Sequence, residues 1–151
     1  MRPRVAVFLV GLAAFTRGPL AAQAPRQASA DSAALQGSWS MVSGSADGFA
    51  LPSSYVQRMR RVFSGREVTV TMGQMLYLKA TVVLGGGGVV RTIDYHMTGG
   101  PTAGAVQLGI FLIAGDTVRF CFGAPNAARP SDFTTTTGDG RTLSTWVRAR
   151  P

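Results

Sequence analysis

Chemistry in this chain would have to start from very few residues. His96 is the sole histidine, and Asp94 precedes it by two positions. On an extended strand such residues share a face, so the carboxylate could orient the imidazole for general-base work. No nucleophile beside the pair can be named, and an exposed strand histidine is the simpler expectation. Cys121 is the sole cysteine, which excludes an internal disulfide. It stands in the apolar run 118–122, where burial as a small hydrophobe is expected. One histidine, one cysteine and scattered carboxylates offer neither zinc spacing nor a calcium loop. The glycines at 85–88 lack the Lys-Ser or Lys-Thr of a phosphate loop, and no helix follows to receive a phosphate. These residues predict no catalytic site, no metal and no cofactor: a binding module, not an enzyme.

The amino terminus carries an address. Arg2 and Arg4 precede an uncharged apolar run at 5–15, too short for a membrane helix of about 20 residues. Gly18-Pro19 breaks the run, and small residues follow through Ala22 and Ala24. This order predicts a signal peptide over 1–22, cut after Ala22, with Ala30 as the second choice. The mature protein would be exported, periplasmic or secreted, with no transmembrane segment after cleavage. The formal charge is +8, of which loss of Arg2, Arg4 and Arg17 leaves about +5. The remaining basic residues are scattered apart from Arg58-Met59-Arg60-Arg61. Without interleaved aromatics that cluster predicts a solvated strand edge and no nucleic-acid partner.

The elements that must position any site follow from the rest of the chain. Residues 23–34 are small and polar and predict a flexible leader, so the folded domain would span 35–151. Apolar residues make up 46% of the chain and Gly contributes 19 residues, a balance that favours short strands joined by tight turns. Candidate strands lie at 36–43, 60–63, 67–72, 75–84, 90–98, 106–113, 117–122 and 142–149. A short helix is predicted over 52–59, with Pro52 opening it and Tyr55, Val56 and Met59 on one face. Period-two alternation puts Val68, Val70, Leu76, Leu78, Val82, Ile93, Tyr95, Leu108, Ile110, Leu112, Val118, Phe120 and Phe122 on one face. The other face takes Glu67, Thr69, Lys79, Asp94, His96, Gln107 and Arg119. A sheet with one apolar face and almost no helix to cover it closes on itself.

Two patterns support closure. Leu35-Gln36-Gly37-Ser38-Trp39 opens the first strand, and Thr145-Trp146-Val147-Arg148 ends the last. The pair resembles lipocalins, in which a Gly-x-Trp is covered by an arginine from the end of the barrel. The resemblance implies that Gly37, Trp39 and Arg148 are structural, the guanidinium over the indole, with Arg150 as the alternative partner. From Leu35 to about Arg148 the chain is similar to a bacterial family of lipocalin-like domains of unknown function, numerous in planctomycetes and their relatives. The similarity includes the Val62-Phe63 and Val68-Thr69-Val70 hairpin, Gly115-Asp116-Thr117-Val118 leading to Cys121-Phe122, and Arg129-Pro130-Ser131-Asp132-Phe133. It is most specific over 109–133. The glycines at 85–88 depart from it, because the usual linker there is polar and charged.

The expected fold is therefore all-β: a small antiparallel lipocalin-like barrel of about eight strands, with one short helix after the first. Its interior is the one feature with functional content. Trp39, Met41, Tyr95, Phe120 and Phe122 would line a pocket for a small apolar ligand. The alternative is a filled barrel whose loops bind an envelope protein.

Overall fold

A sheet with one apolar face and almost no helix to cover it can bury that face by closing on itself. The computed structural model, which describes residues 23–150, does so. Strands β1 (Gly37–Ala46), β2 (Phe49–Ala50), β3 (Met59–Ser64), β4 (Glu67–Met72), β5 (Met75–Gly85), β6 (Arg91–Gly99), β7 (Val106–Ala114), β8 (Thr117–Phe122) and β9 (Thr142–Arg148) pair antiparallel in the order β2-β1-β3-β4-β5-β6-β7-β8-β9. Pairing of β1 with β9 closes eight of them into a barrel, and the two-residue β2 is a spur on β1. This architecture is consistent with a lipocalin-like fold. The helix after the first strand is α2 (Ser53–Val56), shorter than the predicted 52–59.

Residues 23–34 are not a flexible leader. They form most of α1 (Gln23–Leu35), an alanine-rich helix whose Pro25 falls in the first turn, where a missing N–H costs nothing. Four sets of contacts hold α1 and the residue after it to one end of the barrel. Asp31, almost fully buried, meets Arg91 Nε on β6 at 3.0 Å and accepts a 3.1 Å hydrogen bond from Gln27. Arg148 donates from Nη1 to Gln36 O and from Nη2 to Ala34 O, placing a cation at the negative end of the helix. Gln36 bonds Gly65 at the β3–β4 turn through both its amide nitrogen and its oxygen. Leu35 is buried, and its carbonyl accepts from the Trp39 indole at 2.8 Å. The predicted signal peptide at 1–22 lies outside the described residues.

The inward face differs from the alternation reading in two places. On β7, Phe111 enters the core, and Gln107 and Gly109 share its parity; Leu108 and Leu112 face away from it. Cross-strand partners agree: Tyr95 opposes Gln107, Ile93 opposes Gly109, and Phe120 opposes Phe111. Ile110 is buried on the outside instead, beside Cys121, where the β8–β9 connection crosses the wall. That connection is pinned by Arg129, which donates to Asp94 and to Gly109 O, by Asn126 on Val106, and by the Cys121 thiol directed at Thr134 O. Leu76 is also exposed, because the β4–β5 register shifts between Val70 and Thr71 and reverses the parity beyond it.

Candidate functional site

The barrel interior has two unlike halves. Toward α1 it is filled by Trp39, Phe63, Val68, Ala80, Ile93, Phe111, Val118 and Phe120, all buried. Phe120 is the centre of this floor, with ring centroids 6.2 Å from Phe63, 6.0 Å from Phe111 and 6.0 Å from Phe122. Toward the other end, where α2 and the β6–β7 and β8–β9 connections lie, the side chains stop short of one another. They leave a cavity of about 320 Å³, lined on the walls by Met41, Met59, Val70, Leu78, Phe122 and Leu143. Leu51, Tyr55, Tyr77, Pro101 and Pro125 line its mouth. Tyr55 and Tyr77 meet there edge to face at 6.4 Å. Burial, and then a hydrogen bond with Tyr77, push the Tyr55 phenol well above its ordinary value.

The polar group at the base of this cavity is Arg61. Its strand places it inward, because Met59, Arg61 and Phe63 are buried while Arg60, Val62 and Ser64 are exposed. Its cross-strand partners, Trp39 on β1 and Val70 on β4, are interior residues too. Only 5% of Arg61 remains exposed. The guanidinium lies 4.3 Å from the ring centroids of both Trp146 and Phe120 and 5.9 Å from that of Tyr95. These rings attract the cation but supply no lone-pair acceptor. Nε and Nη1 are buried without a hydrogen-bond partner among the described residues, and so is the Tyr95 hydroxyl. Burial lowers the Arg61 pKa and pushes that of Tyr95 up to about 12. The reading of residues 58–61 as a solvated edge is therefore corrected at Arg61: a closed barrel has no free edge there, and alternation turns this side chain inward.

Of the residues named as pocket-lining from sequence, Met41, Tyr95 and Phe122 line the cavity. Trp39 and Phe120 lie beneath it in the filled half. The Trp39 ring is covered by Arg148 at 4.3 Å, and Arg148 also meets Asp116 at 3.2 Å. Gly37 has φ +101°, a conformation that favours glycine, while a Cβ there would make only ordinary contact, at 3.5 Å, with Arg148 Nη1. His96 is exposed on the outer wall, and the carboxylate of Asp94 is held by Arg129, so the two do not form an oriented pair. Cys121 is buried on the outside of β8, and burial pushes its thiol pKa up.

The sequence reading missed Arg61, Gln107 and Ser144 at the cavity. The signal for Arg61 was present as parity with Met59 and Phe63. Gln107 and Ser144 carry internal duties as well: Gln107 Nε2 donates to Gly123 O, and Ser144 accepts from the Trp146 indole. Among the described residues no group of three or more potential ligands is placed to hold a metal. No helix among them is long and apolar enough to cross a membrane. Comparison with protein-family models, with curated proteins and with solved structures finds no significant match to this chain.

Proposed function

We propose that this chain is an exported, lipocalin-like binding module that takes a small, largely apolar ligand into the open half of its barrel. The observation that carries the reading is the cavity of about 320 Å³, which is within the usual range for small-molecule sites. Its walls are mainly apolar, and few polar groups converge on it, a composition that fixes orientation while burial supplies affinity. The reading assigns no reaction. Export rests on the signal-peptide pattern over 1–22, and places the ligand in the periplasm or outside the cell.

The test is native mass spectrometry of the protein purified from the envelope of its own host. A reproducible small-molecule adduct, lost when Leu78 on the cavity wall is replaced by Trp, is the expected result. A bare mass, together with no response to a panel of apolar fluorophores, would refute ligand capture and leave the outer surface as the place to look for a partner.

A further inference from the structure

Arg61 brings a positive charge to the base of the cavity, and no Asp or Glu lines the cavity with it. Buried charges in folded proteins are ordinarily paired, because removal from water is costly without a counter-charge or hydrogen bonds. Among the described residues Nε and Nη1 have neither, and Tyr95 Oη is equally without a partner. The other polar groups at this depth are engaged: Ser144 with Trp146, and the Gln107 amide nitrogen with Gly123. We infer that the ligand is a small monocarboxylate, its head seated against the Arg61 guanidinium and the Tyr95 hydroxyl and its apolar body directed toward the mouth.

The inference rests on the binding reading above and specifies its ligand class. One fixed cation balances one carboxylate, whereas a phosphate monoester carries close to two charges and would bury the excess. Arg61 stands between the aromatic floor and the rim, so an acid bound there points its body along Met41, Leu78 and Phe122. The Tyr95 phenol is protonated at neutral pH, as any tyrosine is, and can therefore donate to the anion.

The experiment is calorimetric titration of the full chain and of its variants with decanoate, decanol and decyl phosphate. Decanoate should bind roughly tenfold or more tightly than decanol, the difference a charge-assisted hydrogen bond makes. Arg61→Met should abolish that preference by weakening decanoate far more than decanol. Arg61→Lys should keep part of it, retaining the charge without the planar fork, and serves if the Met variant does not fold. Equal binding of decanoate and decanol, unaltered in either variant, would overturn the carboxylate assignment and leave the apolar cavity standing. Tightest binding of decyl phosphate would overturn it in favour of a dianion. Failure of all three to bind would overturn the binding reading and this inference with it.

Discussion

Replacing Arg61 with Met should make the ligand-free protein more stable. Taking the guanidinium out of water costs several kcal/mol even after relaxation, and each buried N–H left without an acceptor adds roughly 1–3 kcal/mol. Against this stand the contacts with Trp146 and Phe120 at 4.3 Å, worth about 0.5–2 kcal/mol each. Met fills much of the same volume and keeps contact with both rings. The balance is a gain of about 1–4 kcal/mol, the range found when buried ionic groups give way to hydrophobic ones. Solvent reaching the cavity through its mouth trims the gain toward the lower figure. At this chain length each kcal/mol moves the midpoint by roughly 3–6 °C. Urea unfolding followed by tryptophan emission gives the free energy, and calorimetry gives Tm; Trp146, in contact with Arg61, reports the cavity directly. A loss of about 2 kcal/mol with an unchanged urea slope would refute the reasoning. It would mean that the folded protein already satisfies this charge, and that no vacancy for an anion exists.

Tyr95 gives an alkaline signature. Its folded-state pKa of about 12 exceeds the ordinary 10.0, so the neutral phenol is favoured by folding. The corresponding stability is whole below pH 10 and is lost as pH rises toward 12, by about 3 kcal/mol. Tyr95→Phe should flatten that part of the urea-midpoint profile and be neutral or slightly stabilising at neutral pH, since it removes an unpaired hydroxyl. Gly109→Ala should cost about 1–3 kcal/mol by thermal unfolding, because a Cβ there overlaps the Phe122 ring; the displaced ring would also narrow the cavity and weaken binding. Asp31→Ala should cost about 1–3 kcal/mol by leaving Arg91 without its partner, and hydrogen exchange should show α1 losing protection before the strands do.

The sequence made the barrel legible where alternation had contrast. Strands β4 and β8 fall on the predicted 67–72 and 117–122, because Val-Thr-Val and Val-Arg-Phe separate inside from outside cleanly. On β7 the contrast vanishes: Leu108, Ile110 and Leu112 are as apolar as Phe111 and Ile113, since the β8–β9 connection buries part of the outer wall. Periodicity cannot choose a face when both are covered. Leu76 failed for another reason, a register shift that no local pattern announces. The leader failed because its helix is held mainly from outside itself, through Arg91, Arg148 and Gly65. Tyr95 and Phe122 could be placed from sequence because their strands alternate; Arg61 was missed because its charge argued for solvent against the parity it shares with Met59 and Phe63.

The division of the interior links fold to site. Aromatic stacking around Phe120, together with Trp39 covered by Arg148 and the α1 cap, fills the lower half without help from the upper one. Stability drawn from that half can offset an unpartnered charge and an unfilled volume in the other. Both features lower stability where they stand, the charge by desolvation and the cavity by lost packing. A barrel filled throughout, with a hydrophobe at position 61, would be the more stable object. The structure instead keeps a buried, unpartnered guanidinium at the base of this cavity, where one bound anion would relieve the charge and its apolar body would fill the space. The two local penalties are thus relieved by the same ligand, and this makes Arg61 the residue on which the binding reading should be tested.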